Sequence, residues 1–138
     1  MQERHTNRKQ YFQEQGITTE KHVIPFIEKK LKIDKETSVL EIGCGEGGNL
    51  IPFYKIGCKR ILGIDMSKSK IANGKNFFKD IKGKAKNIEF ICNDIYNINP
   101  KEIGQFDIII TRDVLEHIHG IVEGCRNSLQ TSSRPEAK

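Results

Sequence analysis

The stretch Val39-Leu40-Glu41-Ile42-Gly43-Cys44-Gly45-Glu46-Gly47-Gly48 decides the fold. Val39, Leu40 and Ile42 read as a short buried strand. The glycines behind it permit the positive φ angles and close backbone approach that a strand-to-helix phosphate or nucleoside loop requires. Gly43, Gly45 and Gly48 also satisfy the dinucleotide fingerprint, so the spacing marks a nucleoside-binding turn without choosing its ligand.

Outward from this turn, short apolar runs alternate with polar, helix-length stretches, the rhythm of strand-helix alternation. Strands are expected over 38–42, 60–65, 88–92 and 106–111, and helices roughly over 48–55, 67–81 and 113–129. Near-continuous apolar runs such as Ile108-Ile109-Ile110 suit a parallel sheet covered on both faces. Right-handed crossovers then give an α/β, Rossmann-like doubly wound sheet. Ligands of such sheets lie beyond the carboxyl ends of the strands, where Gly43, Asp65, Asp94 and Arg112 fall.

Upstream of residue 37 the chain reads as helical. Tyr11 and Phe12 lie in one polar segment, and Val23, Ile24, Ile27 and Leu31 make an apolar stripe in the next. Thr18 or Thr19 is a candidate cap for that second helix. Pro25 has no amide hydrogen to donate, which predicts a kink or a helix that starts there.

With 138 residues and 36% hydrophobic content, the chain is sized for one core. It divides into an N-terminal helical segment, 1–36, with a lid as its expected role, a nucleoside-binding core, 37–130, and a polar tail, 131–138. No apolar run has membrane-spanning length and the N-terminus lacks a secretory apolar segment, so no membrane association and a cytoplasmic location are expected. Cys44, Cys58, Cys92 and Cys125 are scattered, which favours reduced thiols, with Cys44 packing inside the turn. His117 and His119, two apart, would point in different directions on a helix, and no metal site is expected. The net charge of +5 comes largely from lysines that read as solvated faces. They lack interleaved aromatics, so nucleic acid is not the favoured partner.

Asp65 closes the second strand, where its carboxylate can accept two ribose hydroxyl hydrogen bonds. A helix-capping role is the structural alternative, but Ser67 is itself a good cap. Together these residues resemble the class I S-adenosylmethionine-dependent methyltransferases over roughly residues 10 to 120. Glu41-Ile42-Gly43-Cys44-Gly45 is similar to the first motif of that family, Gly63-Ile64-Asp65 to the second and Cys92-Asn93-Asp94-Ile95 to the third. The run from Phe106 to Ile118 is similar to the fourth motif and its following helix.

The resemblance implies S-adenosyl-L-methionine as cofactor and a four-stranded order of 3-2-1-4. The Gly43-Cys44-Gly45 backbone would pass under its methionine part, and Asp65 would hold the ribose hydroxyls. Met66 would lie against adenine, Asp94, beside Asn93, would accept from its exocyclic amine, and the Ile95 amide would point to a ring nitrogen. Arg112 sits where the family offers main-chain contacts, with a charged side chain in place of the apolar residue often found there. Glu41 favours this cofactor over a nicotinamide dinucleotide, whose pyrophosphate would meet an additional carboxylate at the turn.

Methyl transfer from a sulfonium is a direct displacement that depends mainly on alignment and exclusion of water. Asp113 and His117, i,i+4 on one helical face with Glu116 adjacent, are the candidate bases for an unidentified, small-molecule acceptor. Their structural alternative is a helix N-terminal acid and ordinary packing contacts. The family fold carries three further strands after the helix that starts at Asp113. The expectation is therefore a chain lacking those C-terminal strands, with 106–111 as an exposed edge open to self-association or a partner chain. Alternatives are a non-catalytic cofactor-binding or partner subunit and, from the glycine spacing alone, an NAD-dependent oxidoreductase.

Overall fold

The computed structural model describes residues 7–111 and 119–126. Within them β1 (Ser38–Ile42), β2 (Arg60–Asp65), β3 (Glu89–Cys92) and β4 (Ile108–Thr111) form one parallel sheet ordered β3-β2-β1-β4. The chain builds outward from β1 through β2 to β3, then returns to the other side of β1 for β4. That reversal makes the carboxyl ends of β1 and β4 a topological switch point, where open α/β sheets bind ligands.

The register explains the two cores. Val39 pairs with Ile61 and Ile108, and all three pack in the apolar cluster that holds Phe12, Ile24, Ile27 and Phe53. Leu40 pairs with Leu62 and Ile109, and these belong to the cluster on the other side with Phe106, Ile121 and Val122. Period-2 alternation thus feeds both layers, and β1 is buried at all five positions.

Strands β1 and β2 have the bounds read from the sequence, because each is an apolar run closed by a glycine turn or an acid. Strand β3 starts at Glu89 and β4 at Ile108, both later than expected. Asp107 explains the second shift. Its carboxylate accepts from the Ser38 amide at 3.0 Å, and its own amide donates to the Ser38 carbonyl at 3.1 Å, so it closes the sheet's lower end. Phe106, fully buried, bridges Arg126 and donates its amide to the Cys125 carbonyl. The outer side of this strand region is therefore engaged at its start, and neither Ile109 nor Thr111 is without a partner.

The N-terminal region corrects the expected cap. Helix α1 (Arg8–Thr18) runs without a break through a π-helical turn, Thr19–Val23, into α2 (Ile24–Glu28). Thr18 and Thr19 both have right-handed helical backbones and neither side chain caps a helix. Pro25 lies in the first turn of α2, directly after the π-helical turn, where its fixed φ suits the helix.

The helix expected over 48–55 begins as a 3-10 turn, Gly48–Leu50, and becomes α3 (Ile51–Ile56). Pro52 cannot donate back to the Gly48 carbonyl, so the Ile51 amide takes it in the tighter pattern. Helix α4 (Lys68–Phe77) starts at the expected Ser67 cap, whose hydroxyl accepts from the Lys70 amide, and tightens into a 3-10 turn, Phe78–Asp80. A short α5 (Pro100–Ile103), capped by Asn99, was not expected, and α6 (His119–Cys125) is the described part of the helix expected over 113–129.

Candidate functional site

Backbone geometry builds the site first. The amides of Gly43 and Cys44 both donate to the Ile64 carbonyl, at 2.8 and 3.0 Å, so the turn leaves β1 tied to β2. Gly43, Gly45 and Gly47 have φ of 76°, 59° and 88°, a left-handed region that a side chain would strain. Gly63 supplies room on β2: a Cβ there would lie 2.7 Å from the Cys44 sulfur.

Asp65 joins the two strand ends. Its Oδ2 accepts from the Gly45 amide and its Oδ1 from the Ser67 amide, each at 2.8 Å. Charge-assisted bonds of this kind fix a carboxylate's rotamer while leaving lone pairs on both oxygens for hydroxyl donors. The local contact to the Ser67 amide is thus made, and the carboxylate keeps capacity for further donors. Beside it the Lys70 stem approaches Gly45, with Cδ 4.0 Å from the position a Cβ would take.

Two further acids flank the turn and both are enclosed. Glu41 is 1% exposed and accepts from Asn49 Nδ2 at 2.8 Å, while Asn49 Oδ1 accepts from the Thr19 hydroxyl at 2.7 Å. Glu46, 2% exposed, receives a bidentate pair from Arg8 Nε and Nη2 at 2.8 and 2.5 Å. That pairing holds Arg8 above its ordinary pKa, with the Glu46 hydrogen bond as the leading cause. Arg8, Thr19 and Asn49 were missed in the sequence because their partners lie 38, 30 and 8 positions away.

The region beyond the ends of β2 and β3 is more open. Met66 is 68% exposed at the end of β2, and its carbonyl faces the Cys92 thiol at 3.5 Å. The Asn93 amide donates to the Asp65 carbonyl, and its side chain accepts from the Asp94 amide at 2.7 Å. Asp94 caps the 3-10 turn Ile95–Asn97 by accepting from the Tyr96 amide through Oδ1. The structure thus brings Gly43, Cys44, Gly45, Asp65, Met66, Asn93, Asp94 and Ile95 to one end of the sheet, with Glu41 buried beneath. Arg112, Asp113, Glu116 and His117 lie outside the described residues.

Thiol chemistry is not poised in the turn. Burial, then the negative charges of Glu41 and Asp65, push the Cys44 thiol far above its ordinary range. All four cysteines are free, and among the described residues no group of three or more His, Cys, Asp or Glu side chains gathers to hold a metal. Among them, too, no helix is long and apolar enough to cross a membrane.

A parallel sheet ordered 3-2-1-4, a glycine turn after β1 and an acid closing β2 together define a Rossmann-like class I methyltransferase core. The family model for the methyltransferase domain matches residues 33–133, and the chain belongs to that family. The ubiquinone biosynthesis O-methyltransferase of Rhodopseudomonas palustris (strain BisB5) is 35% identical over 83 residues, covering 60% of this chain and 30% of that protein. Its counterpart from Coxiella burnetii (strain Dugway 5J108-111) is 35% identical over 95 residues, covering 69% of this chain and 38% of that protein. The chain therefore spans about a third of the length of these curated relatives. Among solved structures, PKMT2 from Rickettsia typhi in complex with AdoHcy superimposes with a TM-score of 0.65 at 25% identity, covering 78% of this chain and 23% of that one.

Proposed function

We propose that this chain binds S-adenosyl-L-methionine across the 43–48 turn and the end of β2, and transfers its methyl group to a small-molecule hydroxyl. The observation that carries the reading is the Asp65 carboxylate, fixed by the Gly45 and Ser67 amides beside a turn of three left-handed glycines. The residues present suit the cofactor. The Gly43–Gly45 backbone lies along the methionine side, Asp65 accepts the ribose hydroxyls, exposed Met66 covers one adenine face, and Asp94 and the Ile95 amide meet the base edge. A nicotinamide dinucleotide is set aside by family membership and by the enclosed Glu41 at the turn, which opposes a pyrophosphate.

When bound, the cofactor supplies an electrophilic methyl on a sulfonium. The protein's part is to hold that methyl in line with the acceptor oxygen at about 3–3.5 Å and to keep water out. Asp113 and His117 are our candidates for removing the hydroxyl proton. The names of the Rhodopseudomonas and Coxiella relatives support a hydroxyl acceptor on a small molecule. The test is incubation with methyl-labelled S-adenosylmethionine and a panel of small phenols and catechols. We expect label in at least one phenol ether, abolished by Asp65→Ala. Cofactor binding without transfer to any acceptor would count against methyl transfer by this chain.

A further inference from the structure

Arg8, Phe12, Gly16 and Thr19 recur at intervals of four, four and three residues, which places them on one stripe of the continuous N-terminal helix. Each meets the cofactor turn or the layer directly behind it. Arg8 forks onto Glu46, and Phe12 packs with ring centroids 5.2 Å from both Phe77 and Phe78. Gly16 lets the helix approach so closely that a Cβ there would lie 2.8 Å from Ile51 and 3.3 Å from the Gly48 carbonyl. In return, a Cβ on Gly48 would meet the Phe12 carbonyl at 2.5 Å. Thr19 anchors the far end through Asn49 to Glu41.

We propose that Arg8 is a positioning residue for the cofactor turn: its grip on Glu46 locks the N-terminal helix onto residues 43–48, so that docking of this helix and cofactor binding are one coupled event. Glu46 sits in the turn with its carboxylate almost fully enclosed, and an enclosed charge needs a partner of good geometry. Arg8 supplies two parallel hydrogen bonds, which fix direction as well as charge. Lysine, a single point charge, replaces the charge but not the fork. A ligand that needs the ordered turn then binds in proportion to the population in which the helix is docked. Arg8 acts through Glu46 and touches no reacting atom.

This inference rests on the cofactor reading above, so the experiment has one arm that needs no ligand. Hydrogen exchange on the unliganded chain should show amides 45–48 of Arg8→Ala exchanging about tenfold faster, with the interiors of β1 and β2 unchanged. S-Adenosylhomocysteine, titrated calorimetrically, should bind Arg8→Ala about tenfold more weakly, and Arg8→Lys should recover only part of the loss. Glu46→Gln should show the same exchange pattern, and the double variant should be no worse than either single one. Unchanged exchange in the turn, full recovery by Arg8→Lys, additive losses, or faster exchange spread evenly over the sheet would each overturn the clamp. Failure of the unsubstituted chain to bind S-adenosylhomocysteine would instead count against the cofactor reading, while the ligand-free arm still decides the clamp.

Discussion

The glycine turn at 43–48 and the segment at 92–97 follow β1 and β3, the strands on either side of β2, yet they are built in opposite ways. The turn is enclosed: Glu46 and Gly48 are buried, its backbone is tied to Ile64 and Asp65, and α1 lies against it. Residues 92–97 are tied to β2 by the Asn93 amide and otherwise hold themselves by short-range Asx contacts, Asn93 to Asp94 and Asp94 to Tyr96, with Cys92 and Tyr96 exposed. The 43–48 turn is therefore preorganised by long-range packing, whereas 92–97 is shaped largely by local contacts. Preorganised groups lose less on binding, so affinity should be concentrated in the first region.

The largest effect is expected for Asp65→Ala, which removes one charge-assisted bond from the Gly45 amide of the turn and one from the Ser67 amide, together with the proposed ribose acceptor. We predict about 100-fold weaker binding of S-adenosylhomocysteine, equivalent to about 2.7 kcal/mol. A loss no larger than that of Asp94→Ala would erase the contrast. Next is Gly48→Ala, whose added carbon would lie against the Phe12 carbonyl and Gln15. Overpacking of this kind costs about 1–3 kcal/mol, read as a lower midpoint of thermal unfolding.

Asp94→Ala should be milder. One hydrogen bond of about 0.5–1.5 kcal/mol is at stake, so S-adenosylhomocysteine should bind at most about tenfold more weakly, with little change in unfolding midpoint. The smallest perturbation is chemical labelling at neutral pH. Exposed Cys92 should react with iodoacetamide first. Cys44 is enclosed in the turn, and burial pushes Cys58 up to about 12 and Cys125 up to about 11, so these three should react only on unfolding. Early labelling of Cys44, followed by mass spectrometry, would show the turn to be open.

The same contrast governs what could be read from the sequence. Strands β1 and β2, the Ser67 cap and Asp65 were legible because each rests on neighbours: an apolar run, a glycine, a capping side chain just before a helix. The start of β4 was not, since the Asp107 carboxylate answers to Ser38, 69 positions away. Nor was the N-terminal stripe, because Arg8, Phe12, Gly16 and Thr19 do not form an apolar pattern. They are selected by an acid, two phenylalanines, a glycine and an amide in other elements. Thr19 looked like a cap in isolation and became a long-range anchor once Asn49 lay beside it. The π-helical turn before Pro25 has no local signature of comparable strength.

If the 43–48 turn with Asp65 is a site for S-adenosylmethionine, calorimetric titration of the unsubstituted chain should give one saturable site for S-adenosylhomocysteine and no measurable heat of binding from NAD. Saturable binding of NAD in preference to S-adenosylhomocysteine would instead make the turn a dinucleotide site.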